Sequence, residues 1–174
     1  LTTLLLAAKA ESTEEQKAVA DLSKLAIDAL VQASAMAENS DEQISVASFF
    51  SALESAIRAE SADILVEVRS VSPLELPADV AAAATEATLQ AVTNSLQHAG
   101  PGKVTREVRM RGLASGIKIV VTDNGKGFRM SRVPGNRLGV RKSMIGRMNA
   151  VGGSVRIDSA PGKGANIVIE WERA

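Results

Sequence analysis

The chain has 174 residues, 45% of them apolar, and its twenty Lys and Arg balance twenty Asp and Glu. That length can bury a core, while zero net charge, 2% aromatics and no Tyr argue against a nucleic-acid binder. The absence of Cys excludes disulfides, thiolate metal sites and a cysteine nucleophile, and no apolar run is long enough to span a bilayer.

The chain opens at Leu1, inside an apolar run and without Met, and reads as a fragment whose upstream partner is missing. Leu1, Leu4, Leu5 and Ala8 follow helical spacing, and Ser12-Thr13-Glu14-Glu15 then offers an N-cap with Glu15 placed for a capping box. Val19, Leu22, Ala26, Ala29, Ala33 and Met36 continue as a heptad seam. A helical hairpin of this size cannot bury its own stripe, so packing against a second copy is the expected remedy. Asn39-Ser40-Asp41-Glu42 is a polar break, which divides the chain into a hairpin over 1–42 and a second domain over 43–174.

Val46, Phe49, Phe50, Leu53 and Ile57 predict a helix from Ser45 to Glu60. Ile64, Val66 and Val68 alternate with Leu65, Glu67 and Arg69, as in a strand with one polar face. Pro73 and Pro77 precede an alanine-rich helix from about Ala78 to Ala99, closed by Gly100-Pro101-Gly102. Strands are expected over Lys103–Arg111 and Ile117–Thr122, a helix from Leu138 to Val151, and a last strand pair at Ser154–Asp158 and Asn166–Trp171. This βαββαββ order predicts an α/β fold, a two-layer sandwich with a mixed sheet.

Three stretches carry polar groups where chemistry would need them. Ile117 to Phe128, IKIVVTDNGKGF, is an apolar β-branched run that stops at Asp123 and passes into Gly125 and Gly127. Such a strand delivers one carboxylate, able to accept a hydrogen bond from an amine, to a loop whose backbone can approach a ligand. The same pattern also joins strands in many folds. On the long helix Gln90, Asn94 and His98 each stand four residues from the next and stack on one face, successive members about 6 Å apart. An Asn carbonyl oxygen suits Mg²⁺ and a His near the helix end can donate to phosphate, although a solvated polar stripe has the same spacing. Third, Arg137 to Ser143 places the lone Gly139 at an expected helix start, where free amides and nearby cations suit phosphate.

In this order the three stretches resemble the GHKL ATP-binding fold shared by histidine kinases, gyrase-type ATPases and anti-sigma serine kinases. Asn94-Ser-Leu-Gln-His98-Ala99 is similar to its N box and Asp123-Asn-Gly125-Lys-Gly127-Phe128 to its first glycine box. Leu138-Gly139-Val140 and Gly162-Lys-Gly164 are similar to the later glycine boxes. The Asn-x-x-x-His-Ala N box and the Gly152-Gly153…Ser159-Ala160-Pro161-Gly162 run most resemble sensor histidine kinases of the DesK/NarX kind. The opening Leu1-Thr-Thr-Leu4 resembles the segment just after their phosphoacceptor His-Asp motif.

The resemblance implies ATP and Mg²⁺ as cofactors, with Asp123 accepting the adenine amino group and Asn94 coordinating Mg²⁺. It implies phosphate contacts at His98 and the amides near Gly139, and backbone against the nucleotide at Gly125, Gly127 and Gly164. Leu138, Val140 and Ser143 would belong to the lid region. It further implies a homodimer through the 1–42 hairpin, a response-regulator partner, and a cytoplasmic location with or without a membrane anchor elsewhere in the parent protein.

Three positions depart from the pattern. Gln90 stands where the family has an acidic base, and an amide cannot take a proton from water, so slow ATP hydrolysis is expected. Glu86, eight residues before Asn94 and about 12 Å along the axis, is too distant to substitute. Arg137 replaces a usual glycine and Ala165 a usual threonine. A non-catalytic nucleotide-sensing or partner-binding module, an anti-sigma-type serine kinase and a gyrase-like hydrolase are the alternative readings.

Overall fold

The computed structural model describes residues 43–100, 102–129 and 135–173, with the backbone alone for 135–142. The chain separates into two units at Asn39 and Ser40, and every described residue belongs to the second. The expected 1–42 hairpin lies outside the described residues.

A short strand β1 (Gln43–Ser45) leads into helix α1 (Val46–Glu60). Ser45 is its N-cap, accepting the Ser48 amide at 3.1 Å on its hydroxyl, so one otherwise orphaned donor of the first turn is satisfied. All five residues of the expected stripe, Val46, Phe49, Phe50, Leu53 and Ile57, are buried. Strand β2 (Leu65–Ser70) comes next, then β3 (Glu75–Pro77) and the long helix α2 (Ala78–His98). The buried side of α2 is mostly alanine, including Ala81, Ala84, Ala87 and Ala91, and small side chains let helix and sheet approach closely. Strands β4 (Arg106–Gly112) and β5 (Gly116–Asp123), helix α3 (Gly135–Ala150), and strands β6 (Ser154–Ser159) and β7 (Ala165–Glu172) complete the described chain.

Five strands form one mixed sheet in the order β2-β4-β5-β7-β6, with β2 parallel to β4 and the remaining pairs antiparallel. Strand alternation sends Val108, Met110, Ile119, Val121, Ile167 and Ile169 into a single core with the buried residues of the three helices. On the opposite face stand Glu107, Arg109, Lys118 and Glu170, with ion pairs Arg109–Glu107 at 3.5 Å and Lys118–Glu170 at 2.6 Å. Behind α3 the indole nitrogen of Trp171 donates to the Val151 carbonyl at 2.9 Å.

The expected two-layer α/β sandwich is therefore what the chain forms, with three differences in detail. Strands β1 and β3 pair antiparallel as a small separate sheet, with Ile44 opposite Leu76. Strand β4 starts at Arg106, because Lys103 to Thr105 are still in the connecting loop. Helix α3 begins at Gly135, three residues ahead of Leu138.

Candidate functional site

Asp123 is the last residue of β5, where the β-branched run gives way to Asn124 and Gly125. One of its oxygens, Oδ1, accepts the Gly125 amide at 2.9 Å, which bends the chain and orients the carboxylate. Among the described residues, no hydrogen bond or ion pair engages its other oxygen. Asn124 closes the other side of the turn: its Oδ1 accepts the Thr105 amide at 2.8 Å, and its own amide reaches the Thr105 carbonyl at 3.3 Å.

The glycine loop is held on two sides. Toward α2, the Lys126 amide donates to the Ala99 carbonyl at 2.7 Å, and a Cβ at Gly125 would lie 2.5 Å from the Ala99 Cβ. Only a residue without a side chain permits that approach. Toward the β6–β7 turn, the Gly162 amide donates to the Lys126 carbonyl at 2.7 Å. The Ser159 hydroxyl accepts the Phe128 amide at 3.0 Å and donates to the Gly164 carbonyl at 2.7 Å. A Cβ at Gly127 would overlap the Ala160 carbonyl oxygen, and one at Gly164 the Asp123 carbonyl oxygen. Gly164 has φ +69°, so it also needs the left-handed backbone that glycine tolerates.

On α2, Gln90, Asn94 and His98 are half-buried on one face. The Gln90 amide nitrogen donates to Asn94 Oδ1 at 3.5 Å, a long bond that leaves the oxygen a free lone pair. One turn earlier Glu86 is drawn into an ion pair with Arg147 of α3. That acid is thus committed elsewhere, as well as being too far away. His98 is the last helical residue, and Ala99 caps the helix through its own amide to the Ser95 carbonyl at 3.0 Å.

The fold thus assembles Asp123, Gly125, Gly127 and Gly164 into one pair of stapled loops, and locks the end of the helix bearing Asn94 and His98 against them. Asn94 lies five residues before Ala99, about 7–8 Å along the axis. Leu138, Gly139 and Val140 fall inside α3, and Ser143 is exposed farther along it. With the helix starting at Gly135, the amides that lack intrahelical partners end at residue 137, and the Gly139 amide comes after them. Sequence spacing did not point to Ala99, Asn124 or Ser159, because each acts through contacts with residues distant in the chain.

Among the described residues, no group of three or more His, Asp or Glu is placed to hold a metal ion. A neutral Asn oxygen alone fits Mg²⁺ only when the ion arrives with phosphate oxygens and keeps part of its water shell. A carboxylate with one open oxygen, flanked by backbone that admits no side chains, fits a flat heterocycle bearing an amine.

Residues 79–174 match the family described as histidine kinase-, DNA gyrase B-, and HSP90-like ATPase, and the chain belongs to that family. Among curated proteins it is similar to the sensor histidine kinase LiaS of Bacillus subtilis (strain 168), 28% identical over 117 residues. That alignment covers 62% of this chain and 32% of LiaS, so the chain spans about a third of that relative's length.

Solved structures share the fold. The histidine kinase domain of the Erythrobacter litoralis EL346 blue-light activated histidine kinase gives a TM-score of 0.57 at 22% identity, covering 74% of this chain and 61% of that one. The catalytic domain of histidine kinase ThkA gives 0.56 at 11% identity, with coverage of 75% and 94%. The mycobacterial sensor histidine kinase MprB gives 0.53 at 21% identity, with coverage of 75% and 97%. No helix among the described residues is long and apolar enough to cross a membrane.

Proposed function

We propose that this chain is the ATP-binding catalytic region of a two-component sensor histidine kinase of the DesK/NarX kind, which passes the ATP γ-phosphoryl to a histidine outside these 174 residues. The observation that carries the reading is the stapled pair of glycine loops around Asp123, where one carboxylate oxygen holds the Gly125 amide, the other is unengaged among the described residues, and the glycine backbones pack too closely to admit side chains. Its sole histidine, His98, sits at the end of the site helix, which suits it to hold phosphate.

In this reading Asp123 accepts the adenine amine, and the loops at Gly125, Gly127 and Gly164 lie against the base. Asn94 gives Mg²⁺ one oxygen, while His98 and the first-turn amides of α3 hold phosphates, with Leu138, Val140 and Ser143 in the lid. Bound Mg·ATP supplies the electrophilic phosphorus and a leaving group whose charge the metal shares. The chain's own part is to orient the triphosphate and withhold a base from water: Gln90 cannot accept a proton, which keeps hydrolysis slow and the γ-phosphoryl available for transfer. The acceptor histidine attacks through its own ring nitrogen and needs no base on α2. A response regulator then receives the phosphoryl group, the 1–42 segment provides a homodimer contact, and the region works in the cytoplasm.

Calorimetric titration with a non-hydrolysable ATP analogue, with and without Mg²⁺, tests this reading. Binding that Mg²⁺ strengthens and that Asn94→Ala uncouples from Mg²⁺ is expected. No binding at millimolar analogue would overturn it and favour a partner-binding module that keeps the fold alone.

A further inference from the structure

Strand β4 opens on Arg106, whose guanidinium reaches back to α2. Its Nε donates to the Ser95 hydroxyl at 3.1 Å and its Nη2 to the Ser95 carbonyl at 3.3 Å, while Nη1 holds the Val104 carbonyl at 3.4 Å. Ser95 is only 6% exposed and is the next residue after Asn94. A planar fork with two donors on one residue fixes direction as well as distance, and a cation at the last turn also complements the helix dipole.

The same residue is tied to the other half of the site. In the β4–β5 ladder Arg106 is the direct cross-strand partner of Asp123. Both have the strand parity of the core-facing Val108, Met110, Ile119 and Val121, so both project toward α2. Among the described residues, no ion pair joins Arg106 to Asp123, and the guanidinium is committed to the helix. Arg106 therefore spans from the strand register that sets Asp123 to the helical turn that sets Asn94 and His98.

We propose that Arg106 is a positioning residue that sets the separation between Asp123 and the Asn94–His98 turn of α2, and with it the width of the cleft for the nucleotide. This rests on the nucleotide-site reading above. It acts through Ser95 and touches no part of the ligand. Removing the fork lets the last turn of α2 move on its own, so the base and the phosphates no longer meet their partners together.

The test uses Arg106→Met, Arg106→Lys and Ser95→Ala in the 174-residue chain, each measured well below its melting temperature. Two readouts are taken: the Kd for a non-hydrolysable ATP analogue with Mg²⁺, and amide hydrogen exchange over residues 94–99 and 124–128 without nucleotide. Arg106→Met is expected to weaken binding on the order of tenfold and to speed exchange in both segments. Arg106→Lys keeps one donor and recovers part of each effect, and Ser95→Ala added to Arg106→Met causes little further loss. A lowered melting temperature with unchanged Kd and unchanged exchange in both segments would overturn the proposal, leaving Arg106 a stabilising residue only. Where the wild-type chain binds no analogue, the nucleotide reading fails, and the exchange rates still decide whether Arg106 sets the two segments. Where Arg106→Met does not fold, Arg106→Lys and Ser95→Ala carry the same comparison.

Discussion

The carbonyl of Ala99 accepts the amide of Lys126 at 2.7 Å, joining the end of α2 to the loop after Asp123. Beside this bond the Gly125 backbone lies so close that a Cβ there would be 2.5 Å from both the Ala99 Cβ and its carbonyl oxygen. Gly125→Ala must therefore push helix and loop apart, at about 1–3 kcal/mol of stability. Its effect on nucleotide affinity is expected to exceed that on stability, because the displaced atoms belong to the site. Denaturant unfolding beside titration checks this, and a variant that binds as well as wild type would refute it.

Gly162 and Gly164 lie in one turn with similar backbones, φ +76° and +69°, and differ in what surrounds them. A Cβ at Gly162 meets nothing within 4 Å, whereas one at Gly164 overlaps the Asp123 carbonyl oxygen. Gly162→Ala should lose about 1–2 kcal/mol, the cost of the left-handed backbone alone. Gly164→Ala should lose more than about 3 kcal/mol and displace Asp123 as well. Equal melting temperatures for the two variants would contradict the geometry.

Asp123→Asn preserves an oxygen for the Gly125 amide, so the turn should survive with stability changed by less than about 1 kcal/mol. In the proposed reading the other oxygen is where the variant differs, since an amide placed there would present a donor to the adenine amine. Adenine-nucleotide affinity is expected to fall at least about tenfold while the fold is kept. Titration together with circular dichroism separates the two quantities.

Gln90→Glu restores a carboxylate within reach of Asn94, whose Oδ1 is 3.5 Å from the present amide nitrogen. If the missing base limits hydrolysis, phosphate release from ATP should rise on the order of 10²-fold, the lower range for general-base catalysis. Steady-state phosphate release at saturating ATP measures it, and an unchanged rate would place the limit elsewhere.

Stability should depend on burial rather than charge. Met148, fully buried between α3 and the sheet, should lose about 2–5 kcal/mol on truncation to Ala. The Glu86–Arg147 pair joins α2 to α3 with side chains 42% and 55% exposed, and a double-mutant cycle should give less than about 1 kcal/mol. A larger coupling would mean that the pair contributes more than an exposed ion pair.

Where local pattern dominates, the sequence is readable. The α1 stripe from Val46 to Ile57 and the apolar run into Asp123 have a period that only one element satisfies, and both are found where expected. Strands β1 and β3 escape notice because three residues hold no period, and their pairing joins Ile44 to a residue far along the chain. The start of α3 is missed because Gly135 and Asn136 are poor helix formers, so propensity places the boundary later. In the site, the residue types of Asp123, Gly125 and Asn94 announce themselves. Their mutual arrangement depends on Ala99, Ser159 and Arg106, whose partners no spacing rule reaches.

Trp171 is the sole tryptophan in a chain without tyrosine, and its indole is tied to Val151, just past the end of α3. Ultraviolet emission from this protein therefore comes from one place, at the opposite end of α3 from the first-turn amides. A ligand that draws on those amides and shifts the helix as a rod would register optically at its far end, in unlabelled protein.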